Sequence, residues 1–141
     1  MKINTDHSKH LQLNKRFMNR FGMLGVQMEG LYYSTADKLT DDYRGGSWNF
    51  QEVPKSKATW LCLDSDQSFR VNAFNGNEVK CNAIVLSMSI TLIMYSNLSF
   101  QLHEKGNPLY ELIASDFHDM RLHFMDNLSD SDAQKLLRII D

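Results

Sequence analysis

Few of the residue types that perform catalysis or bind metals stand at useful spacings in this chain. The C-terminal half contains three histidines, His103, His118 and His123. His118 and His123 differ by five positions, whereas neighbours on one helix face are three or four apart. We therefore expect surface or hydrogen-bonded histidines rather than a metal centre.

The Asp64-Ser-Asp66 segment resembles the start of a calcium loop, but the comparison fails further along. The sixth position is Phe69, where a glycine is needed, and the twelfth is Asn75, where a bidentate glutamate is needed. Phosphate-binding loops, nucleophile elbows and dinucleotide glycine patterns are also missing from the sequence. The sequence thus predicts no catalytic residue, no cofactor and no metal site.

The cysteines and apolar segments favour a cytoplasmic protein. Cys62 and Cys81 lie far apart among apolar neighbours, which is typical of reduced core residues. The N-terminus has no apolar stretch of the kind found in a secretory signal. The apolar run from Ala83 to Tyr95 is too short to cross a bilayer. A soluble, cytoplasmic protein is the expectation.

Length and charge limit the architecture and the partners. With 141 residues, of which 43% are hydrophobic, we expect one domain over 1–141, with 1–15 as a candidate flexible segment. The first twenty residues carry five cations against Asp6, a net charge of +4, whereas residues 104–141 carry −4. The whole chain has a net charge of −2. A mimic of duplex DNA must replace about one charge per 1.7 Å of helix axis, so mimicry is not expected.

Hydrophobic periodicity predicts an α+β fold with a small three-stranded antiparallel sheet and four to five helices. An amphipathic helix is predicted over Met23–Leu39. Strands are predicted at Ser47–Val53, Ala58–Leu63 and Phe69–Phe74, and the short links between them indicate a meander.

The second half of the chain is predicted to be helical. Asn75 and Glu78 form a capping-box variant that predicts a helix through Tyr95, apolar on nearly all sides. A second helix follows Pro108, and its apolar stripe consists of Leu109, Ile113, Phe117, Met120 and Phe124. Ser129 and Asp132 form a capping pair for the last helix.

Two features of the sequence could indicate nucleic-acid binding, and each also has a simpler structural interpretation. Strand residues Trp60, Phe69, Arg70 and Phe74 could stack bases on an open sheet, although aromatic residues are more often core. The basic N-terminal segment could grip phosphates, although its cations also fit the solvated face of an amphipathic helix. A small nucleic-acid-binding module is therefore the alternative function, and a hydrolase with a dispersed site is a third class.

The segment Leu39–Phe50 combines a helix end, a two-glycine turn and the start of an aromatic strand. Gly45 and Gly46 permit positive φ where the chain reverses. Trp48 and Phe50, two residues apart, fall on one face of a strand. The acidic-Tyr-x-Gly-Gly-x-Trp-x-Phe pattern resembles that of the ArdB/KlcA antirestriction family, small bacterial proteins carried largely by plasmids and other mobile elements.

The resemblance extends from about Arg16 to Asp141, with an Ile-Asp ending at 140–141 and an Asn75-to-Glu78 helix start. The chain departs from the family pattern after Phe50, where Gln51-Glu-Val stands for a usual Tyr-Glu-Leu. The resemblance implies a non-catalytic inhibitor of host type I restriction-modification enzymes that contacts the enzyme complex or an associated host factor. From the apolar run and the charge of the chain we also expect no membrane partner and no direct contact with nucleic acid.

The resemblance also implies where such a contact would lie. The candidate partner-binding residues are expected to be exposed on the surface, and they are Asp41, Asp42, Tyr43 and Arg44 beside the glycine turn, together with Asp141. Gly45, Gly46, Trp48 and Phe50 are expected to shape and support that surface. Asp141 places a negative charge at the carbonyl end of the last helix, where the helix dipole favours cations. A frayed helix end and a functional carboxylate both explain this choice.

Overall fold

The computed structural model describes the backbone of residues 2–141 and the side chains of residues 12–141. Over this range the chain forms five α-helices and four β-strands, and the 3-10 turn Gly22–Leu24 joins the first two helices. The helices are α1 (Lys2–Phe21), α2 (Gly25–Leu39), α3 (Ala83–Glu104), α4 (Leu109–Asn127) and α5 (Asp130–Ile140). The strands are β1 (Ser47–Glu52), β2 (Thr59–Asp64), β3 (Ser68–Asn72) and β4 (Glu78–Asn82). The α+β class predicted from the sequence is confirmed.

The strands form two separate hairpins, so the predicted three-stranded meander is wrong. β1 pairs antiparallel with β2, with Trp48 opposite Leu63, and β3 pairs antiparallel with β4, with Phe69 opposite Cys81. The predicted third strand therefore finds its partner later in the chain rather than on β2.

Side chains from two helices occupy the outer edge of β2. The Leu61 N–H donates to the Tyr32 hydroxyl at 3.2 Å, and the Leu63 N–H donates to the Ser87 Oγ at 2.9 Å. The Tyr95 hydroxyl donates to the Thr59 carbonyl at 3.4 Å. A third strand would need these same backbone groups for its ladder. Because helix α2 and helix α3 already satisfy them, the sheet stops at two strands.

The segment from Asn75 to Glu78 is a hairpin turn and not the predicted helix start. The Ala73 N–H donates to the Asn77 carbonyl at 2.8 Å, and Gly76 has φ +91°. After the turn, Val79 is buried while Glu78 is exposed, which is the alternation of a strand. This period of two outweighs the capping pattern, which here stabilises the turn through the Asn75 side chain.

Helix α3 begins five residues after Glu78, at Ala83, and forms the centre of the core. Its N-cap is Asn82, whose Oδ1 accepts from the Val85 N–H at 2.9 Å. The helix is longer than predicted and ends at Glu104. By length and composition it could cross a membrane, but 67% of its apolar window is buried inside the molecule. This burial is what a core helix of a soluble protein shows.

The helices pack on both faces of the first hairpin. Phe17 of α1 contacts Phe50 at a centroid distance of 5.1 Å, and Phe124 of α4 contacts Trp60 at 4.8 Å. A Cβ atom at Gly25 would lie 2.3 Å from the Phe17 carbonyl carbon, so glycine permits the close turn between α1 and α2. These contacts fix the hairpin that follows the glycine turn.

A buried ion pair joins α1 to α4. Asp116 lies on the apolar stripe of α4 and its side chain is only 2% exposed. The Arg20 Nε donates to its Oδ2 at 2.9 Å, and Nη2 donates to its Oδ1 at 2.5 Å. The hydrogen bond to Asp116 raises the pKa of the Arg20 guanidinium. Two-point contacts of this kind between a guanidinium and a carboxylate fix orientation as well as charge.

Candidate functional site

The loop from Thr40 to Gly46 connects helix α2 to strand β1 and reverses the chain at two glycines. Gly45 has φ +88° and Gly46 has φ +144°, values that L side chains rarely adopt. A Cβ atom at Gly46 would also lie 2.9 Å from the Leu63 Cδ1. Glycine is therefore favoured at position 46 for two reasons: the positive φ of the backbone and the close approach of the Leu63 side chain.

Trp48 anchors this loop to the core. Its side chain is buried, and its Nε1 donates to the Tyr43 hydroxyl at 3.1 Å. The two rings meet edge to face at a centroid distance of 6.0 Å. Burial raises the pKa of the Tyr43 hydroxyl, which is half-buried. Phe50 lies half-buried on the same strand face, beneath the Arg16 guanidinium at 4.5 Å.

Asp42 links the loop to the second hairpin. Its Oδ2 accepts from the backbone N–H of Arg70 in β3 at 2.9 Å, and its own N–H donates to the Thr40 Oγ1 at 3.1 Å. The Gln67 side-chain amide donates to the Asp42 carbonyl at 3.2 Å. Asp42 thus covers an edge group of β3 and holds the two hairpins together.

The four loop candidates therefore divide into two pairs. Asp42 and Tyr43 are half-buried and have partners within the protein, so these two side chains are less exposed than expected. Asp41 and Arg44 are exposed. The Arg44 guanidinium donates to the carbonyls of Asp41 and Tyr43, which holds its side chain over the loop. The surface available to another molecule is that of Asp41, Arg44 and the two glycines.

Asp141 lies in a different place, at the mouth of a cleft of about 440 Å³ between α3, α4, α5 and the β3–β4 turn. Asp41 and Asp42 line a separate, shallow depression of about 160 Å³ with Arg70. The structure therefore does not bring Asp141 and the loop candidates together in one pocket.

The end of helix α5 is held in place by the turn of the second hairpin. The side-chain amides of Asn75 and Asn77 each donate to the Arg138 carbonyl at 2.9 Å. The Asp141 N–H donates to the Leu137 carbonyl at 2.9 Å. Sequence reasoning missed these two asparagines because it assigned Asn75 to a helix cap. The contacts argue against the frayed end that would have explained Asp141.

A third depression brings together a serine, an aspartate and a histidine, but not in a catalytic geometry. Ser56, Asp119 and His123 line a depression of about 230 Å³ beside α4. The Ser56 Oγ donates directly to Asp119 at 2.8 Å, whereas the His123 Nδ1 lies 3.1 Å from the Asn127 side-chain amide. A serine nucleophile needs the histidine between itself and the carboxylate. This arrangement therefore provides no activated nucleophile.

The described residues also give little support to the nucleic-acid alternative. Trp60 and Phe69 are buried in the core, although Phe74 is 59% exposed and Arg70 is exposed. Arg16 forms an ion pair with Glu52 at 2.9 Å, and Arg20 forms an ion pair with Asp116 at 2.5 Å. Lys15 of the basic N-terminal segment is exposed, and the side chains of Lys2 and Lys9 lie outside the described residues. Within residues 12–141, no group of three His, Cys, Asp or Glu side chains could hold a metal ion.

Comparisons with known proteins agree with the family resemblance seen in the sequence. A family model described as "Antirestriction protein" matches residues 41–141, a span that begins at Asp41. A solved structure of the KlcA and ArdB proteins matches with a TM-score of 0.74 and 19% sequence identity, covering 89% of this chain and 85% of that chain. It is described as showing a novel fold and antirestriction activity against type I DNA restriction systems in vivo but not in vitro. At this identity the likeness shows a shared fold. No curated protein matches the sequence significantly.

Proposed function

The chain belongs to the antirestriction protein family, as the glycine and aromatic residues of the turn predicted, and we propose that it inhibits type I restriction enzymes by contact between proteins. The inhibitor would act in the bacterial cytoplasm and protect incoming plasmid or phage DNA. Its partner would be the restriction enzyme complex or a host factor associated with it. The observation that carries the mechanism is the nearly balanced charge of the chain, with 15 lysine and arginine residues against 17 aspartate and glutamate residues.

The exposed carboxylates of α4 illustrate how far the surface is from that of DNA. Glu111, Asp119 and Asp126 are exposed and lie eight and seven residues apart on the helix. A rise of 1.5 Å per residue separates them by roughly 12 Å and 10 Å along the axis. Duplex DNA carries about one charge per 1.7 Å of its axis. This row of carboxylates could not replace a phosphate backbone.

Other acidic residues lie near cations of the same molecule, although only Asp116 is held in a close pair. Asp116 is buried against Arg20, and Asp132 lies 3.8 Å from the Lys135 ammonium. Asp141 lies 3.8 Å from the Arg121 guanidinium. Such pairing supports a mechanism other than occupation of the DNA groove of the enzyme.

The behaviour described for the relatives of known structure points the same way. KlcA and ArdB act against type I systems in vivo but not in vitro. A protein that simply occupied the DNA site would compete with DNA in a purified reaction as well as in a cell. If this chain shares that behaviour, its inhibition requires a component or a step that the purified reaction lacks.

The experiment that tests the function is phage plating. Cells that carry a type I restriction system would be challenged with unmodified phage, with and without expression of this chain. We expect expression to raise the plating efficiency on restricting cells and to leave plating of modified phage unchanged. Cells without the restriction system provide the second control. Unchanged restriction, with the folded protein confirmed in the cells, would contradict the proposal.

The loop contact can be tested in the same assay. Asp41→Ala and Arg44→Ala alter exposed side chains beside the glycine turn, and Lys57→Ala is a matched change at another exposed position. We expect the first two variants to lower the plating efficiency and the third to leave it unchanged. Full activity in both loop variants would show that the partner does not contact this surface.

A further inference from the structure

The cleft beside Asp141 has the dimensions and lining of a binding site. Its volume of about 440 Å³ falls in the range in which proteins bind small ligands or single side chains of a partner. Helices α3, α4 and α5 form its walls, and the β3–β4 turn closes one side. Because these walls are regular elements that the core holds in place, the cleft is preformed.

The floor of the cleft is apolar and one aromatic side chain stands open at its rim. Leu92 and Ile139 lie buried at the bottom, and Phe117 and Ile140 are half-buried beside them. Phe74 is 59% exposed at the end of β3. Burying an aromatic ring and the apolar floor against a partner would remove this surface from water, which is favourable at about 25 cal/mol per Å².

The mouth of the cleft carries a carboxylate that is poorly compensated. The Asp141 carboxylate is 61% exposed and lies 3.8 Å from the Arg121 guanidinium, which is 36% exposed. It stands at the C-terminal end of helix α5, where the helix dipole already contributes a partial negative charge. The Asn75 and Asn77 amides hold this helix end without adding charge. The charge that complements the mouth is therefore positive.

We propose that this cleft binds a segment of a partner protein in which a large apolar side chain adjoins a lysine or arginine. The apolar side chain would enter between Phe74 and Phe117, and the cation would lie against Asp141. The inference rests on the proposed function insofar as the partner is the protein through which restriction is inhibited. The affinity of the cleft itself can be measured without that function.

The test is a nuclear magnetic resonance titration of the whole chain with two blocked dipeptides. N-acetyl-Phe-Arg-amide should shift the resonances of Phe74, Phe117 and Ile139 selectively. N-acetyl-Phe-Glu-amide should bind about fivefold more weakly, because the second charge changes sign beside Asp141. Equal binding of the two peptides, or shifts spread away from the cleft, would overturn the proposal.

Three variants test whether the peptide binds in this cleft. Ser96→Trp places a large side chain in the cleft wall and should abolish the selective shifts, whereas Ser115→Trp, on an exposed face of α4, should leave them unchanged. Asp141→Asn should reduce the preference for the arginine peptide. Undiminished binding by folded Ser96→Trp would place the peptide elsewhere and overturn the assignment.

The phage assay separates failure of the cleft from failure of the function. If the wild-type chain binds the arginine peptide but does not protect phage, the cleft stands and the proposed function fails. If the chain protects phage and Ser96→Trp protects equally well, the partner does not use the cleft and the inference fails. Loss of protection in Ser96→Trp, with protection retained in Ser115→Trp, supports both.

Discussion

At the scale of single residues, the buried pair between Arg20 and Asp116 makes the strongest prediction about stability. We expect Asp116→Asn to lower the free energy of unfolding by about 3 kcal/mol, because Arg20 would remain largely buried without its charge partner. Urea unfolding provides the measurement. Asp126→Asn, an exposed change on the same helix, should cost less than about 0.5 kcal/mol. Equal stabilities of the two variants would show that the pair contributes little.

The second glycine of the turn gives another prediction at this scale. Gly46→Ala should destabilise the protein by about 2 kcal/mol, since alanine is strained at φ +144° and its Cβ would press on Leu63. Gly30→Ala is the matched control, because Gly30 lies inside helix α2 with open space around its Cα. That change should stabilise by about 0.5 kcal/mol. The two midpoints of thermal unfolding should move in opposite directions, and a parallel shift would contradict this account of the turn.

At the scale of elements, the covered edge of β2 explains why the first sheet has two strands. Tyr32→Phe removes the hydroxyl that accepts from the Leu61 N–H, and leaves that buried group without a partner. We expect a loss of about 1–3 kcal/mol in unfolding free energy and faster hydrogen exchange of the Leu61 amide. Tyr95→Phe should cost less, because its bond to Thr59 is 3.4 Å long. An unchanged exchange rate at Leu61 in Tyr32→Phe would mean that the edge is protected in another way.

The sequence predicted elements more reliably than it predicted their partners. The stripe of α4, the Ser129 cap of α5 and the aromatic strand after the glycine turn follow from local periodicity and capping chemistry, and the structure confirms them. The prediction of a helix start at Asn75 was wrong for a local reason, because helix caps and hairpin turns use the same residue types. The second hairpin could have been found from the alternation of Glu78, Val79, Lys80 and Cys81.

Pairing across the chain depends on contacts that no local pattern contains. No local sequence pattern predicts that the hydroxyls of Tyr32 and Ser87 bind the edge of β2. Their partners Leu61 and Leu63 lie 29 and 24 residues away in the sequence, respectively. The same holds for Asp42, which local reasoning placed on the surface and the structure uses to hold β3. The burial of Asp116 was likewise not predictable from the local sequence. An acidic residue on the apolar stripe of a helix is explained only by Arg20, which the fold places opposite it.

At the scale of the whole molecule, the buried tyrosines predict how stability depends on pH. Burial raises the pKa of Tyr32 and Tyr95 well above the value of about 10 in an unfolded chain. Below pH 10 both states keep these protons, so their contribution to stability is fully present. As pH rises further, the unfolded state ionises first and stability should fall by about 1.4 kcal/mol per unit for each tyrosine. Urea midpoints between pH 8 and pH 12 test this, and constant midpoints would contradict it.

The distribution of charge over the whole molecule is the basis of the proposed class of inhibitor. A net charge of −2, an acidic residue paired with Arg20 and widely spaced carboxylates on α4 distinguish this surface from the dense negative charge of DNA. The glycine turn and the cleft beside Asp141 are two candidate parts of that surface, on separate elements of the fold. Inhibition that depended on imitating DNA would have to draw on a surface unlike this one.

The measurement that tests this claim most directly is competition for DNA on a purified type I restriction enzyme. Fluorescence anisotropy of a labelled duplex with the recognition site would be followed as this protein is added, using a preparation whose chain protects phage in restricting cells. We predict that the duplex stays bound even at a large molar excess of the protein. Displacement of the duplex at near-stoichiometric concentrations would show that the protein occupies the DNA groove, and would contradict inhibition by protein contact alone.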